Sequence, residues 1–374
     1  MNVLRPILLC FVFCLSAPAM AAGTTPQATA ASDMAVRALA REWLENNGGV
    51  GLSIGVYDRG ARQFYNFGTT RIDSGTAPTK DTIYEIGPIA KTMAAQILAR
   101  AIIENRALPT DEAAKYLEGP YPNLANSGES IKLVHLANMT SQLVDNIPDL
   151  TQVRPVPGEP QGATYMRVVG DYSQEEFLRQ LRRVLPRRAP GIELGQSNVA
   201  SMLLGVVLEK IYDEPFETIL KREIEKPLRM GSGTQPTTRL LARGHSAANE
   251  ELPSFTAPMA YTWGSLRYST EDLLRYASWQ LVERDASVKL AHQPTWTSPD
   301  GRQSVAMYWI RSETPRGRRL YFAGGTWGFA SHVELYPEAQ LALVLLSNRA
   351  SDGGRESLRT LAASLAEVLR PETR

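Results

Sequence analysis

The sequence predicts an α+β fold: a largely antiparallel sheet assembled from both ends of the chain, flanked by helices, with a mostly helical second lobe inserted beside it. Three observations carry that reading. Near the N-terminus Val50, Leu52, Ile54 and Val56 alternate as a strand should, Asp58-Arg59-Gly60 supplies a turn, and 62–68 returns as a second strand. Near the C-terminus 319–324, 332–336 and 341–346 read as three further strands, the last two joined tightly through Pro337-Glu338-Ala339-Gln340. Between them most of the chain has helical spacing, and neighbouring hairpins tend to share a sheet.

Taken in order, residues 1–21 read as a secretory signal peptide. Arg5 is the single charge, an apolar run from Ile7 to Leu15 follows, and Ala19-Met20-Ala21 gives a small-x-small ending. The Thr/Ala/Gln/Pro composition of 22–34 predicts a flexible leader. Residues 35–46 have helical spacing, and 355–369 reads as a closing amphipathic helix. One two-lobed domain is expected over 35–372, with a sheet lobe at about 35–85 and 300–372 and a helical lobe at about 86–299.

Composition narrows the class. The chain of 374 residues has 40 Lys plus Arg against 39 Asp plus Glu, so nothing polybasic favours a nucleic-acid or anionic-membrane partner. No hydrophobic run is long enough to span a bilayer. Both cysteines, Cys10 and Cys14, fall in the expected signal segment, so the processed chain carries no thiol for disulfides or thiolate metal sites. Export to the periplasm or outside the cell follows, and no metal or other cofactor is expected. The histidines (His135, His245, His292, His332) show no ligand-pair spacing. Asn138-Met139-Thr140 is a glycosylation sequon by letters.

Several motifs in series carry chemistry. Tyr84-Glu85-Ile86-Gly87-Pro88-Ile89-Ala90-Lys91 is followed by Val134-His135-Leu136-Ala137-Asn138-Met139-Thr140-Ser141-Gln142-Leu143, then Gln196-Ser197-Asn198, Lys226-Pro227-Leu228-Arg229-Met230, Ser269-Thr270-Glu271-Asp272-Leu273 and Gly324-Gly325-Thr326-Trp327-Gly328-Phe329. The ordered set resembles the serine β-lactamase and penicillin-binding DD-peptidase superfamily, in its class C β-lactamase and esterase-like branch. That resemblance implies a β-lactamase/transpeptidase-like fold. It also implies acyl transfer by a serine whose proton is managed by Lys and Tyr, with backbone N–H groups holding the oxyanion.

At three active-site positions this chain departs from the pattern, and Gln142 in place of the Gly of the Ser-Gly-Leu stretch implies a reshaped loop. Pro88 stands at the nucleophile's place, offering neither a hydroxyl nor the N–H that the resemblance makes one of two oxyanion donors. Gln196 stands where the family has its Tyr, and an amide does not titrate. Ala323 stands where the third motif has His or Lys, removing a polar group expected to face the substrate. What the resemblance leaves for a cleft is Lys91, Gln196, Asn198, Gly324, Gly325 and Thr326, with Thr326 offering the second oxyanion-type N–H.

Each retained residue also has a plain reading. Lys91 is then a solvated lysine, Asn198 a helix cap, and the glycines a means of close strand approach. Three functions stay open. The first is a pseudoenzyme whose cleft binds a peptidoglycan-type peptide, a cell-wall fragment or an envelope protein. The second is an active β-lactamase, DD-peptidase or esterase with another nucleophile, and the third is assembly through an outer face.

Overall fold

In the computed structural model, which describes residues 26–350 and 354–370, Gly51–Asp58 (β1) and Ala61–Gly68 (β2) form the expected hairpin. Trp296–Thr297 (β3), Ser304–Val305 (β4), Ile310–Thr314 (β5), Gly317–Gly325 (β6), Ala330–Tyr336 (β7) and Leu341–Ser347 (β8) complete one sheet. Its order is β2-β1-β8-β7-β6-β5-β4-β3, antiparallel throughout. The two chain ends meet where β1 pairs with β8, Leu52 opposite Ser347 and Asp58 opposite Leu341. Every residue of β7 and β8 is buried, because both faces of the sheet are covered.

On the outer face Leu52, Ile54, Val56, Leu343 and Leu345 pack against Val36 and Ala40 of helix α1 (Pro26–Asn46) and Leu358 and Leu365 of helix α5 (Gly354–Leu369). Leu320, Phe322, Val333, Val344 and Leu346 turn to the inner face and the larger core. There sits helix α2 (Ile89–Ile103), buried around nearly its whole circumference, beside helix α3 (Asn198–Tyr212). Each fully buried Leu, Ile or Met of these two helices contributes on the order of 2 kcal/mol of hydrophobic stabilisation.

Two boundaries differ from the sequence reading. The segment 22–34 is helical from Pro26 onward rather than a flexible leader. Its alanines are strong helix formers, proline is suited to the first helical position, and the helix continues until Val36 and Ala40 reach the sheet. Helix α4 (Thr270–Val282), placed by sequence in the helical lobe, instead covers the inner face of β1, β7 and β8. Ser269 caps it reciprocally with Asp272. The signal-peptide reading of 1–21 lies outside the described residues. Among those described, no helix is long and apolar enough to cross a membrane, and no group of three His, Cys, Asp or Glu could hold a metal ion.

Candidate functional site

The site is built where the inner strand β6 meets the N-terminus of α2. Ile83–Glu85 pairs with Arg267–Ser269 and leads through Ile86, Gly87 and Pro88 into the helix. Gly87 has φ +53, and a Cβ there would stand 2.6 Å from the Gly325 nitrogen. A Cβ on Gly324 would meet Ser331 Oγ at 2.4 Å and the Ile86 carbonyl at 2.5 Å. Glycine at these positions lets strand and helix entrance approach backbone to backbone. Pro88 is buried, with φ −58 and ψ −8, and its carbonyl accepts from Lys91 N at 3.0 Å. A helix start needs no N–H at that place, so proline fits the fold there.

One turn further, Lys91 is only 1% exposed, so it is not a solvated lysine. Its Nζ donates to the Ser197 carbonyl at 3.4 Å and lies 5.7 Å from the centroid of the Tyr308 ring. The hydroxyls nearby are engaged: Ser197 Oγ caps α3 by accepting from Ala200 N and donates to Val144 O at 2.8 Å. Ser201 Oγ shares a 2.7 Å hydrogen bond with Tyr308 Oη, which also donates to Leu136 O. Ser331 Oγ donates to Ile86 O at 2.7 Å.

The pleat of β6 corrects the reading of Ala323. Ala323 pairs with His332 and Tyr321 with Glu334; the Tyr321 and His332 rings stack at 5.9 Å on the outer side. Phe322 and Gly324 share the inner face, with the Phe322 ring 5.8 Å from Tyr308 in a T-shaped contact. The strand residue facing α2 is therefore Phe322, not Ala323.

Thr326 also differs from expectation. Its N–H is spent on Phe329 O at 3.0 Å, so it offers no oxyanion donor. Its hydroxyl donates to Glu85 Oε2 at 2.6 Å, while Phe255 N donates to Oε1 at 2.7 Å. Burial pushes the Glu85 carboxyl up to about 7, against the pull of these two bonds and of Arg267. Glu85 is thus a buried brace joining the helix entrance to the turn after β6.

In front of this brace opens a cleft of about 300 Å³. Asn198, Gly325 and Thr326 line it together with Asn146, Leu150, Tyr165, Phe255, Trp263 and Trp327. Lys91, Gln196 and Gly324 are not among its lining residues; Gln196 is exposed and Gly324 is packed against Ser331. Asn198 Nδ2 donates to Asn146 Oδ1 at 2.9 Å, and the capping role falls to Ser197. A larger cavity of about 570 Å³ lies on the helical lobe near Tyr121, Leu178 and Lys210, away from every motif residue. The smaller cleft is the candidate because side-chain amides and aromatic rings converge there beside the motif residues Asn198, Gly325 and Thr326.

His135 and Asn138 have structural roles. His135 Nδ1 accepts from Lys132 N at 3.2 Å at the start of a short helix, and burial draws its pKa down to about 4. Asn138 is 2% exposed and its Oδ1 accepts from Thr140, so the sequon is closed off in the folded chain.

The sheet, the buried α2 and the site at its N-terminus together define an α+β protein of the β-lactamase/transpeptidase architecture. The chain belongs to the Beta-lactamase family, whose model matches residues 36–367. Among its relatives is the D-alanyl-D-alanine-carboxypeptidase/endopeptidase AmpH of Escherichia coli (strain K12), 23% identical over 321 residues, covering 81% of this chain and 80% of that protein. A β-lactamase of Pseudomonas fluorescens is 23% identical over 338 residues, covering 80% and 88%. A class C β-lactamase structure superposes with TM-score 0.77 at 17% identity, over 92% of this chain and 97% of that one. A β-lactamase/D-alanine carboxypeptidase from Pseudomonas syringae gives 0.75 at 20%, over 92% and 100%.

Proposed function

We propose that the chain is an exported, non-catalytic member of this family that holds a peptide, a cell-wall fragment or an envelope protein in the cleft beside Gly325 and Asn198. The observation that carries the reading is Pro88, buried at the helix entrance where the resemblance places the nucleophile. Acyl transfer there needs a hydroxyl to attack the carbonyl and an N–H to stabilise the oxyanion, and proline has neither. Losing one oxyanion donor alone costs about 100- to 1000-fold in turnover. A substitute nucleophile finds no support in the hydroxyls of Ser197, Ser201 and Ser331, each held in a structural hydrogen bond.

What remains is reversible binding. Aromatic faces supply contact area, the Asn146 and Asn198 amides supply orientation, and Glu85 holds the wall in place through Thr326. Incubation with a fluorescent penicillin tests the reading: no covalent adduct is expected. A stable adduct at stoichiometric yield would overturn it. The DD-carboxypeptidase relatives make acylated D-alanyl-D-alanine peptides the first reversible ligands to try.

A further inference from the structure

The lining of the cleft specifies the charge of what enters it. None of its side chains is ionisable at neutral pH: the polar members are two asparagines, a threonine and a tyrosine. The two cations beside the helix entrance are buried and off the lining. Lys91 is sealed at 1% exposure with its ammonium on the Ser197 carbonyl and the Tyr308 ring. Arg267, paired with Glu85 across the strands, donates to Thr256 Oγ1 at 3.3 Å and Thr234 O at 3.1 Å. The strand residue on the inner face is Phe322, 2% exposed and apolar. A ligand carboxylate would therefore surrender its hydration without meeting a counter-charge.

Acidic groups are near but engaged. Both oxygens of Glu85 accept protein hydrogen bonds, from Thr326 and Phe255. The Asn198 N–H goes to the Asp145 backbone carbonyl at 2.8 Å and reaches Asp145 Oδ1 only at 3.3 Å, while Oδ2 takes Asn146 Nδ2 at 3.1 Å. Asp145 adds repulsion against an anion, Glu85 is held partly protonated by its burial, and a bound cation would have to compete for oxygens already in use. The groups left to a ligand are amide-like. The Asn198–Asn146 bond uses one N–H of Asn198 and the carbonyl of Asn146, leaving the Asn198 carbonyl as an acceptor. Beside them Tyr165 and Trp327 stand 6.0 Å apart, and Trp327 is held edge-on by the fully buried Phe255 at 5.3 Å.

Building on the binding function proposed above, we infer that this cleft selects an uncharged, amide-bearing group laid against Tyr165 and Trp327, and discriminates against a free carboxylate terminus. The ligand class is then an amidated, internal or cross-linked peptide segment rather than a peptide with a free C-terminus.

Three probes decide it on the full chain, followed by tryptophan fluorescence and calorimetry: phenylacetyl-D-alanyl-D-alanine, its C-terminal carboxamide, and its C-terminal 2-aminoethylamide. The carboxamide is expected to bind at least about tenfold more tightly than the acid or the amine, a difference of about 1.4 kcal/mol. Acid or amine binding equal to or tighter than the carboxamide overturns the charge selection and leaves cleft binding standing. No binding of any probe overturns the binding function itself, and this inference with it. Asn198→Lys, which adds a cation to the wall, is expected to turn the preference toward the acid. An unchanged preference in the folded variant would show that the wall does not read charge.

Discussion

The hydroxyl of Thr326 donates to the carboxyl of Glu85 at 2.6 Å, joining the turn after β6 to the entrance of α2 across 241 residues of sequence. Glu85 is 2% exposed, and burial raises its pKa from 4.5 to about 7. Between those values the unfolded chain has released a proton that the folded chain keeps, so stability falls as pH rises through that window. The full penalty, about 3 kcal/mol, is reached above pH 7. Glu85→Gln should flatten this dependence between pH 5 and 8 in urea unfolding. An unaltered slope would place the titrating group elsewhere.

Lys91 gives a second test, because its burial makes it part of the core. Lys91→Ala empties the volume between Ser197 and Tyr308 and should cost about 2–4 kcal/mol of stability. Lys91→Met keeps most of that volume and removes the burden of a buried charge, so it should cost clearly less. Equal losses in thermal unfolding would show that the ammonium contacts, rather than the packing, matter. Either variant that folds should leave cleft binding nearly unchanged, since Lys91 does not line the cleft.

On the outer face Glu334 is fully buried and accepts both arms of the Arg319 fork at 2.8 Å, His332 Nε2 at 2.7 Å, and the Tyr336 hydroxyl. Burial pushes its carboxyl up, but the bonds and charges of His332 and Arg319 outweigh that and hold it at about 2. A depressed carboxylate stabilises the fold fully above pH 4.5 and loses that contribution as pH falls through about 2. Glu334→Gln should therefore cost about 3 kcal/mol at pH 7, leaving Arg319 without its counter-charge, and less than half of that at pH 3. Urea unfolding at the two pH values measures it. A cost that does not vary with pH would exclude the ionised carboxylate as its source.

How much of this was legible in the sequence differs between elements. The strands β1, β2 and β6 to β8 were readable because alternation and turns are local signals. Motif letters likewise marked Glu85, Pro88 and Lys91 at the helix entrance. Which face of β6 looks toward α2 was not readable, since it depends on pairing Ala323 with His332 and Phe322 with Val333. The role of Glu85 depends on Thr326, and the cleft draws Tyr165, Phe255, Trp263 and Trp327 from distant segments. No local pattern announces such a convergence. The start of α1 is not legible in the sequence, because its composition suits a linker as well as a helix.

The face assignment on β6 leads to a restoration test. Pro88→Ser returns a hydroxyl and an N–H at the start of α2, but Gln196 cannot relay a proton and Phe322 presents carbon to the site. A missing acid or base typically costs about 100- to 10,000-fold, so the single reversion should give no detectable acylation by fluorescent penicillin. Adding Gln196→Tyr supplies a titratable phenol at the place the family resemblance assigns to it, next to the Ser197 cap of α3, from which the longer side chain must reach toward the helix entrance. The third group must then stand on the inner face, where Phe322 and Gly324 lie, and not on the outer face, where Ala323 lies beside His332. The triple variant with Phe322→His should acylate measurably, whereas the one with Ala323→His should stay silent. Acylation by the Ala323→His triple alone would show that the face assignment is wrong. Circular dichroism of both triples separates loss of fold from loss of chemistry, because Phe322 is a buried residue whose replacement weakens the inner core.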